Sequence, residues 1–289
     1  MKRLLVLLFY MHRFHKPILW TALACVAVFC FCFIVFFRGS DSKAVAVQPT
    51  IEMVAVAAST PSLPTTQRIP ILVYHNIRTF LPHESVADKV YTVEPDVFRT
   101  QMQYLKDNGY TPVPMRAVSD LFEKGTALPE KPVVITLDDG WESQYTNALP
   151  VLKEFGFPAT AYIYTVVIGH RRFLAWDQVR EMQTQGIEIG GHTKTHAYLT
   201  RITDPAIFVD EIVESKRVTE EKIGTPITAF AYPFGLYSDA VVAAVKDAGY
   251  RTARTIRPGI VQTADALFTL HASLIQNDMK LFVAALERE

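Results

Sequence analysis

From residue 69 onward, short apolar runs alternate with stretches of helical spacing. Ile71–Tyr74, Val133–Leu137, Ala159–Val167, Ile187–Ile189 and Ile227–Tyr232 are rich in β-branched or aromatic residues and bounded by Pro, Gly or polar turns, the pattern of buried strands. Between them, Val97–Asn108, Thr146–Phe155, Trp176–Gln185, Pro205–Ile223 and Ser238–Ala248 repeat apolar residues at helical intervals. These helices close on Gly109, Gly156, Gly186, Gly224 and Gly249, residues that terminate a helix at low steric cost. Alternation of strand and helix predicts an α/β class with parallel strands, and its extent suits a distorted (β/α) barrel better than a small open sheet. Phe80–Tyr91 follows neither period and reads as a polar loop.

Upstream the pattern changes. Ile18–Phe37 is an uncharged run of about 20 residues, long enough as a helix to cross a hydrocarbon layer of about 30 Å, and it predicts one N-terminal transmembrane helix. Lys2, Arg3, Arg13 and Lys16 precede it, whereas Arg38 and Lys43 follow, so the positive-inside bias places residues 1–17 in the cytoplasm and the remainder outside. A cleaved signal peptide is the competing reading, because Ala44-Val45-Ala46 has a small-x-small cleavage pattern. The apolar run exceeds the usual span of roughly 7–15 residues for such a peptide, which favours the anchor. Residues 38–68, rich in Ala, Val, Ser and Thr and broken by Pro49, Pro61 and Pro64, read as a flexible linker, leaving 69–289 as one domain.

Composition narrows the classes. Lys plus Arg and Asp plus Glu are 29 each, so no charge excess points to nucleic acid or another polyion. Cys25, Cys30 and Cys32 all lie in the apolar run, which leaves residues 69–289 without disulfides or thiolate metal ligands.

Chemistry gathers where the strands end. Val133–Leu137 runs into Asp138-Asp139-Gly140, Ile187–Ile189 runs through Gly190-Gly191 into His192-Thr193-Lys194-Thr195-His196, and Ile71–Tyr74 runs into His75-Asn76. In an α/β barrel the C-terminal strand ends form the active face, so these segments deliver two carboxylates and three imidazoles to one cavity. Adjacent aspartates repel when both are ionised, and a cation on one of them relieves the conflict; a solvated turn is the bland alternative. Two imidazoles four residues apart, together with a strand-end carboxylate, leave open positions for water and substrate, as a catalytic zinc site requires.

These segments carry a resemblance. Thr136-Leu137-Asp138-Asp139-Gly140 and His192-Thr193-Lys194-Thr195-His196 resemble the first and second motifs of the polysaccharide deacetylase family (NodB-homology domain, carbohydrate esterase family 4), and Ala231-Tyr232-Pro233-Phe234-Gly235 is similar to the third. The likeness runs from about Ile69 to about Ile275 and is nearest to the poly-N-acetylglucosamine deacetylase-like subgroup. It implies a NodB-type distorted barrel, with Asp138 as general base and Asp139, His192 and His196 holding a divalent metal, Zn2+ before Co2+, Ni2+ or Mn2+. It places an oxyanion-binding N–H at Phe234. Tyr232 and Trp141 are expected to contact substrate, and Trp176 is divided between sugar stacking and core packing. The acid that protonates the departing amine is His75 in preference to His271, since His75 closes a clear strand and resembles the subgroup's N-terminal Tyr-His. Where many members begin the third motif with Arg, this chain has Ala231; Arg251 and Arg254 are candidates to approach Asp138, with surface solvation the expected fate of each.

The function implied is removal of N-acetyl groups from an N-acetylated amino-sugar polymer outside the cytoplasmic membrane. The alternatives are a catalytically weak glycan-binding domain and a deacetylase of a lipid-linked or small amino-sugar amide.

Overall fold

The computed structural model describes residues 63–288. The expected cytoplasmic segment, the transmembrane helix 18–37 and the linker as far as residue 62 lie outside the described residues. Among the described residues no helix is long and apolar enough to cross a membrane.

One curled sheet of eight parallel strands organises the rest: β1 (Ile71–Tyr74), β2 (Thr111–Pro112), β3 (Pro132–Asp138), β4 (Ala159–Ile163), β5 (Ile187–Gly191), β6 (Ala229–Ala231), β7 (Thr252–Arg254) and β8 (Ser273–Leu274). Their spatial order is β7-β6-β5-β4-β3-β1-β8, with β2 paired to the start of β3. A bridge between Arg254 and Leu270, with the Thr255 N–H donating to the Leu270 carbonyl, draws the two sheet edges together. Asp138 pairs with Tyr162 and Ile163 with Gly191, so β3, β4 and β5 end level with one another.

Period-two alternation sorts the strand residues into two layers. Leu72, Tyr74, Ile135 and Leu137 join a core with Phe98, Met102 and Leu105 of α1 (Pro95–Asp107), whereas Ile71, Val73, Val134 and Tyr162 join a second core. Met115, Val118, Leu121 and Phe122 of α2 (Met115–Lys124) complete that second layer. Among the described residues, five further helices of at least seven residues follow: α3 (Leu149–Phe155), α4 (Trp176–Thr184), α5 (Ser215–Ile223), α6 (Asp239–Asp247) and α7 (Met279–Glu287). The Gly190-Gly191 pair is a packing requirement: a Cβ at Gly190 would lie 2.6 Å from the Tyr162 ring, and Tyr250 sits directly over Gly191.

Several elements differ from the sequence expectation. The run Ala159–Val167 is a strand only to Ile163; Thr165–Val167 is a helical turn, because the Ile163 carbonyl accepts from the His192 N–H and the Val166 N–H donates to Lys194 in the neighbouring loop. Pro205–Ile223 is not one helix. It divides into Pro205–Phe208, a widened turn Val209–Glu214, and α5, with the Ser215 hydroxyl donating back to the Glu211 and Ile212 carbonyls where the turn widens. Within Phe80–Tyr91 the segment Val86–Lys89 is helical and capped by Ser85, so the polar loop has internal structure. Thr66–Arg68, placed in the linker by composition, pairs antiparallel with Val261–Thr263. Strands β2, β7 and β8 are two or three residues long, too short for periodicity to announce.

Candidate active site

The level ends of β1, β3 and β5 open on a cavity of about 560 Å³ lined by His75, Asp138, Asp139, His192, His196, Trp141, Tyr232 and Phe234 among others. Every residue that the sequence nominated for catalysis, metal binding or substrate contact therefore faces one space, apart from Trp176 and His271. Trp176 opens α4 and packs against the hydrophobic core. The His271 ring faces the Pro258 carbonyl at 3.2 Å and crowds Gly259, and it does not line the cavity.

Asp138 is the last residue of β3, and Asp139 and Gly140 then turn the chain with φ of 76° and 74°. This left-handed pair separates the two carboxylates. Asp138, 2 % exposed, meets the guanidinium of Arg254, which is wholly buried and stacks over the Tyr162 ring at 4.8 Å. Arg251 instead pairs with Asp120 at 2.7 Å and Glu123 at 2.6 Å on α2. Of the two arginines expected at the surface, Arg254 is thus in the interior, reaching Asp138 from β7 where Ala231 of the third motif cannot.

Asp139 turns toward the histidines. Its Oδ1 lies 3.5 Å from His192 Nε2 and 3.4 Å from His196 Nε2, and Oδ2 accepts the Trp141 indole N–H at 3.1 Å. His192 is fixed from behind, where Nδ1 meets the Ala231 carbonyl at 2.7 Å; donation there leaves the Nε2 lone pair directed at Asp139. Burial works to raise the Asp139 pKa, but the surrounding imidazoles, His192 first and then His75 and His196, outweigh it and hold the carboxyl well below its usual range. Burial, reinforced by His192, lowers the His196 pKa to about 4 despite the opposing pull of Asp139 and Asp138, so this imidazole is neutral at neutral pH.

A divalent cation fits this donor set. Asp139 Oδ1 is buried without a hydrogen-bond partner, and it and one ligand atom from each histidine all lie within 4.8 Å of one another. Tetrahedral zinc with ligands about 2.0–2.1 Å away places neighbouring ligand atoms about 3.3 Å apart, close to the two Asp139–histidine separations.

The remaining nominees have defined places. The Phe234 backbone is left-handed (φ 59°), and its ring stacks on Tyr198 at 3.9 Å and meets His196 edge-on at 4.5 Å. Tyr232 is buried, its hydroxyl donating to the Phe268 carbonyl at 3.0 Å. Trp141 stacks on Phe173 at 4.4 Å, so one indole face is occupied by protein and its N–H by Asp139. His75 Nδ1 is buried without a partner, and the ring lies edge-on to Tyr91 at 5.0 Å. One wall of the cavity comes largely from Phe80–Tyr91, the expected polar loop, which Arg78 just upstream holds by gripping Glu84 with contacts of 2.6 and 3.1 Å; this pairing lowers the Glu84 pKa to about 2. Sequence reasoning did not find Arg78, Glu84, Gln144 or Tyr198. Gln144 donates to the Asp138 and His75 carbonyls, tying two strand ends that are distant in sequence.

The sequence profile of the polysaccharide deacetylase family matches residues 125–253, which include all three motifs. The Bacillus subtilis (strain 168) protein named "Putative polysaccharide deacetylase YxkH" is 31 % identical over 204 residues, covering 71 % of this chain and 70 % of that one. The chain belongs to the polysaccharide deacetylase family. This family member is also similar to the poly-beta-1,6-N-acetyl-D-glucosamine N-deacetylase of Escherichia coli (strain K12), at 25 % identity over 72 % of the chain, and it spans only 36 % of that longer relative. Among solved structures, Streptococcus pyogenes deacetylase PplD in complex with acetate superposes with a TM-score of 0.70 at 27 % identity, covering 77 % of this chain and 99 % of that one. The fold is therefore the NodB-type curled parallel sheet that the motifs imply.

Proposed function

We propose that this chain is a metal-dependent hydrolase that removes N-acetyl groups from an N-acetylglucosamine-containing polysaccharide outside the cytoplasmic membrane. The observation that carries the reading is the pairing of two unlike carboxylates at one strand end: Asp139, with an unpartnered buried oxygen between two imidazoles, and Asp138, held by Arg254. The relatives named for poly-N-acetylglucosamine support the choice of polymer.

Asp139, His192 and His196 would hold the cation, zinc first by donor type. Bound there, a divalent cation polarises the acetyl carbonyl and acidifies water. Asp138 takes the proton from the attacking water as its oxygen bonds to the acetyl carbon. Negative charge then grows on the carbonyl oxygen, and the peptide N–H of Phe234, where the family resemblance puts the oxyanion site, would receive it. His75 delivers a proton to the sugar nitrogen as the C–N bond breaks, so that one amide and one water become acetate and a free amine. Arg254 keeps the Asp138 carboxylate oriented, and Trp141 fixes Asp139 through Oδ2.

Acetate release from N-acetylglucosamine oligomers with added zinc tests the reading. Activity should vanish with chelator, return with zinc, and fall by about 10²–10⁴ in Asp138→Asn. If wild type and Asp138→Asn are equally inactive on poly-N-acetylglucosamine, chitin oligomers and peptidoglycan, the reading fails. Protease accessibility in intact cells tests the proposed location.

A further inference from the structure

The loop that carries both histidines is backed by a side chain outside all three motifs. Glu211, in the widened turn Val209–Glu214, is buried and accepts the Lys194 N–H at 3.0 Å, the Thr195 N–H at 2.9 Å and the Thr195 hydroxyl at 2.6 Å. These donors belong to the residues between His192 and His196. The loop needs such support, because Thr193 and His196 are both left-handed, with φ of 71° and 60°, a conformation that non-glycine residues hold only when their surroundings impose it. Within the loop, the His196 N–H donates to the Thr193 hydroxyl at 2.9 Å. Beside Glu211, Asp210 contacts Lys194 at 2.8 Å, but that pair is solvent-exposed.

We infer that Glu211 is a positioning residue for the metal centre: its carboxylate gathers the loop's peptide N–H groups and sets the direction from which His196 reaches Asp139. This inference rests on the metal-centred reading of Asp139, His192 and His196. Removing a group that supports a metal ligand weakens metal binding by about 10–100-fold, whereas an exposed ion pair contributes little.

The test measures zinc affinity of the metal-stripped full-length protein by competition with a chromophoric chelator, alongside apo-protein melting and kcat and KM. Glu211→Gln should bind zinc at least about tenfold more weakly and lose kcat with little change in KM, while Asp210→Asn stays within about threefold of wild type. Thr195→Val, which removes one of the three donors, should shift affinity in the same direction by less. Unchanged zinc affinity in Glu211→Gln overturns the inference, even if its apo form melts earlier, and so does an Asp210→Asn effect as large as that of Glu211→Gln. Should Glu211→Gln fail to fold, Thr195→Val decides, and wild-type affinity there overturns the inference. A wild type that binds no zinc sinks the metal-centred reading as well, which separates the two failures.

Discussion

Replacing Arg254 with methionine isolates what the buried guanidinium does. Arg254 is fully enclosed, and Asp138, its partner, is 2 % exposed. Methionine keeps an unbranched side chain that adapts to the space, so the main loss is the counter-charge. Removing one member of a buried ion pair costs about 3–5 kcal/mol, because the other charge stays behind uncompensated. The Arg254 contact with the Thr255 carbonyl at 3.3 Å and the stacking over Tyr162 are also lost, at about 1 kcal/mol each. Together they predict a destabilisation of at least about 5 kcal/mol. Adding Asp138→Asn to Arg254→Met replaces the stranded carboxylate by a neutral amide, so the double variant should be more stable than the two single losses sum to, by about 2 kcal/mol. Urea denaturation of metal-free protein, followed by tryptophan fluorescence at neutral pH, reads all four corners of this cycle. An Arg254→Met variant within about 1 kcal/mol of wild type, or single costs additive within about 0.5 kcal/mol, would refute the buried pairing.

Three other outcomes are expected. His196 has a folded-state pKa of about 4 against 6.5 as its ordinary value, so between those pH values the unfolded chain binds more protons and the metal-free protein should lose stability as pH falls, by at most about 3 kcal/mol; denaturation midpoints at pH 7 and pH 4.5 check this, and His196→Gln should flatten the slope. Glu84→Gln should weaken the clasp with Arg78, raising KM more than it lowers kcat and speeding proteolysis between residues 79 and 91; an unchanged KM and cleavage rate would count against that wall as a substrate contact. Gly190→Ala brings a Cβ to 2.6 Å from the Tyr162 ring and 2.8 Å from the Ala229 carbonyl, an overpacking that should cost about 1–3 kcal/mol or more in the same denaturation assay.

Much of the site was legible in one dimension because strands announce themselves by composition and the residues that follow them inherit their position. A run such as Val133–Leu137 must lie in a core, so Asp138 and Asp139 had to emerge at its end, and the same reasoning carried His75, His192 and His196 to the same face. Which side chains then meet was beyond that reasoning. Arg251 and Arg254 look alike in the sequence, yet one pairs with Asp120 and Glu123 of α2 and the other lies inside against a carboxylate 116 positions away. Sheet order and curl decide that outcome, since they bring β7 round toward the end of β3. Likewise, Trp141 gave one face to Phe173 and Trp176 turned to the core through contacts between segments that no periodicity relates. Local pattern determined where the chemistry emerges from the chain; the packing of distant segments determined which groups orient it.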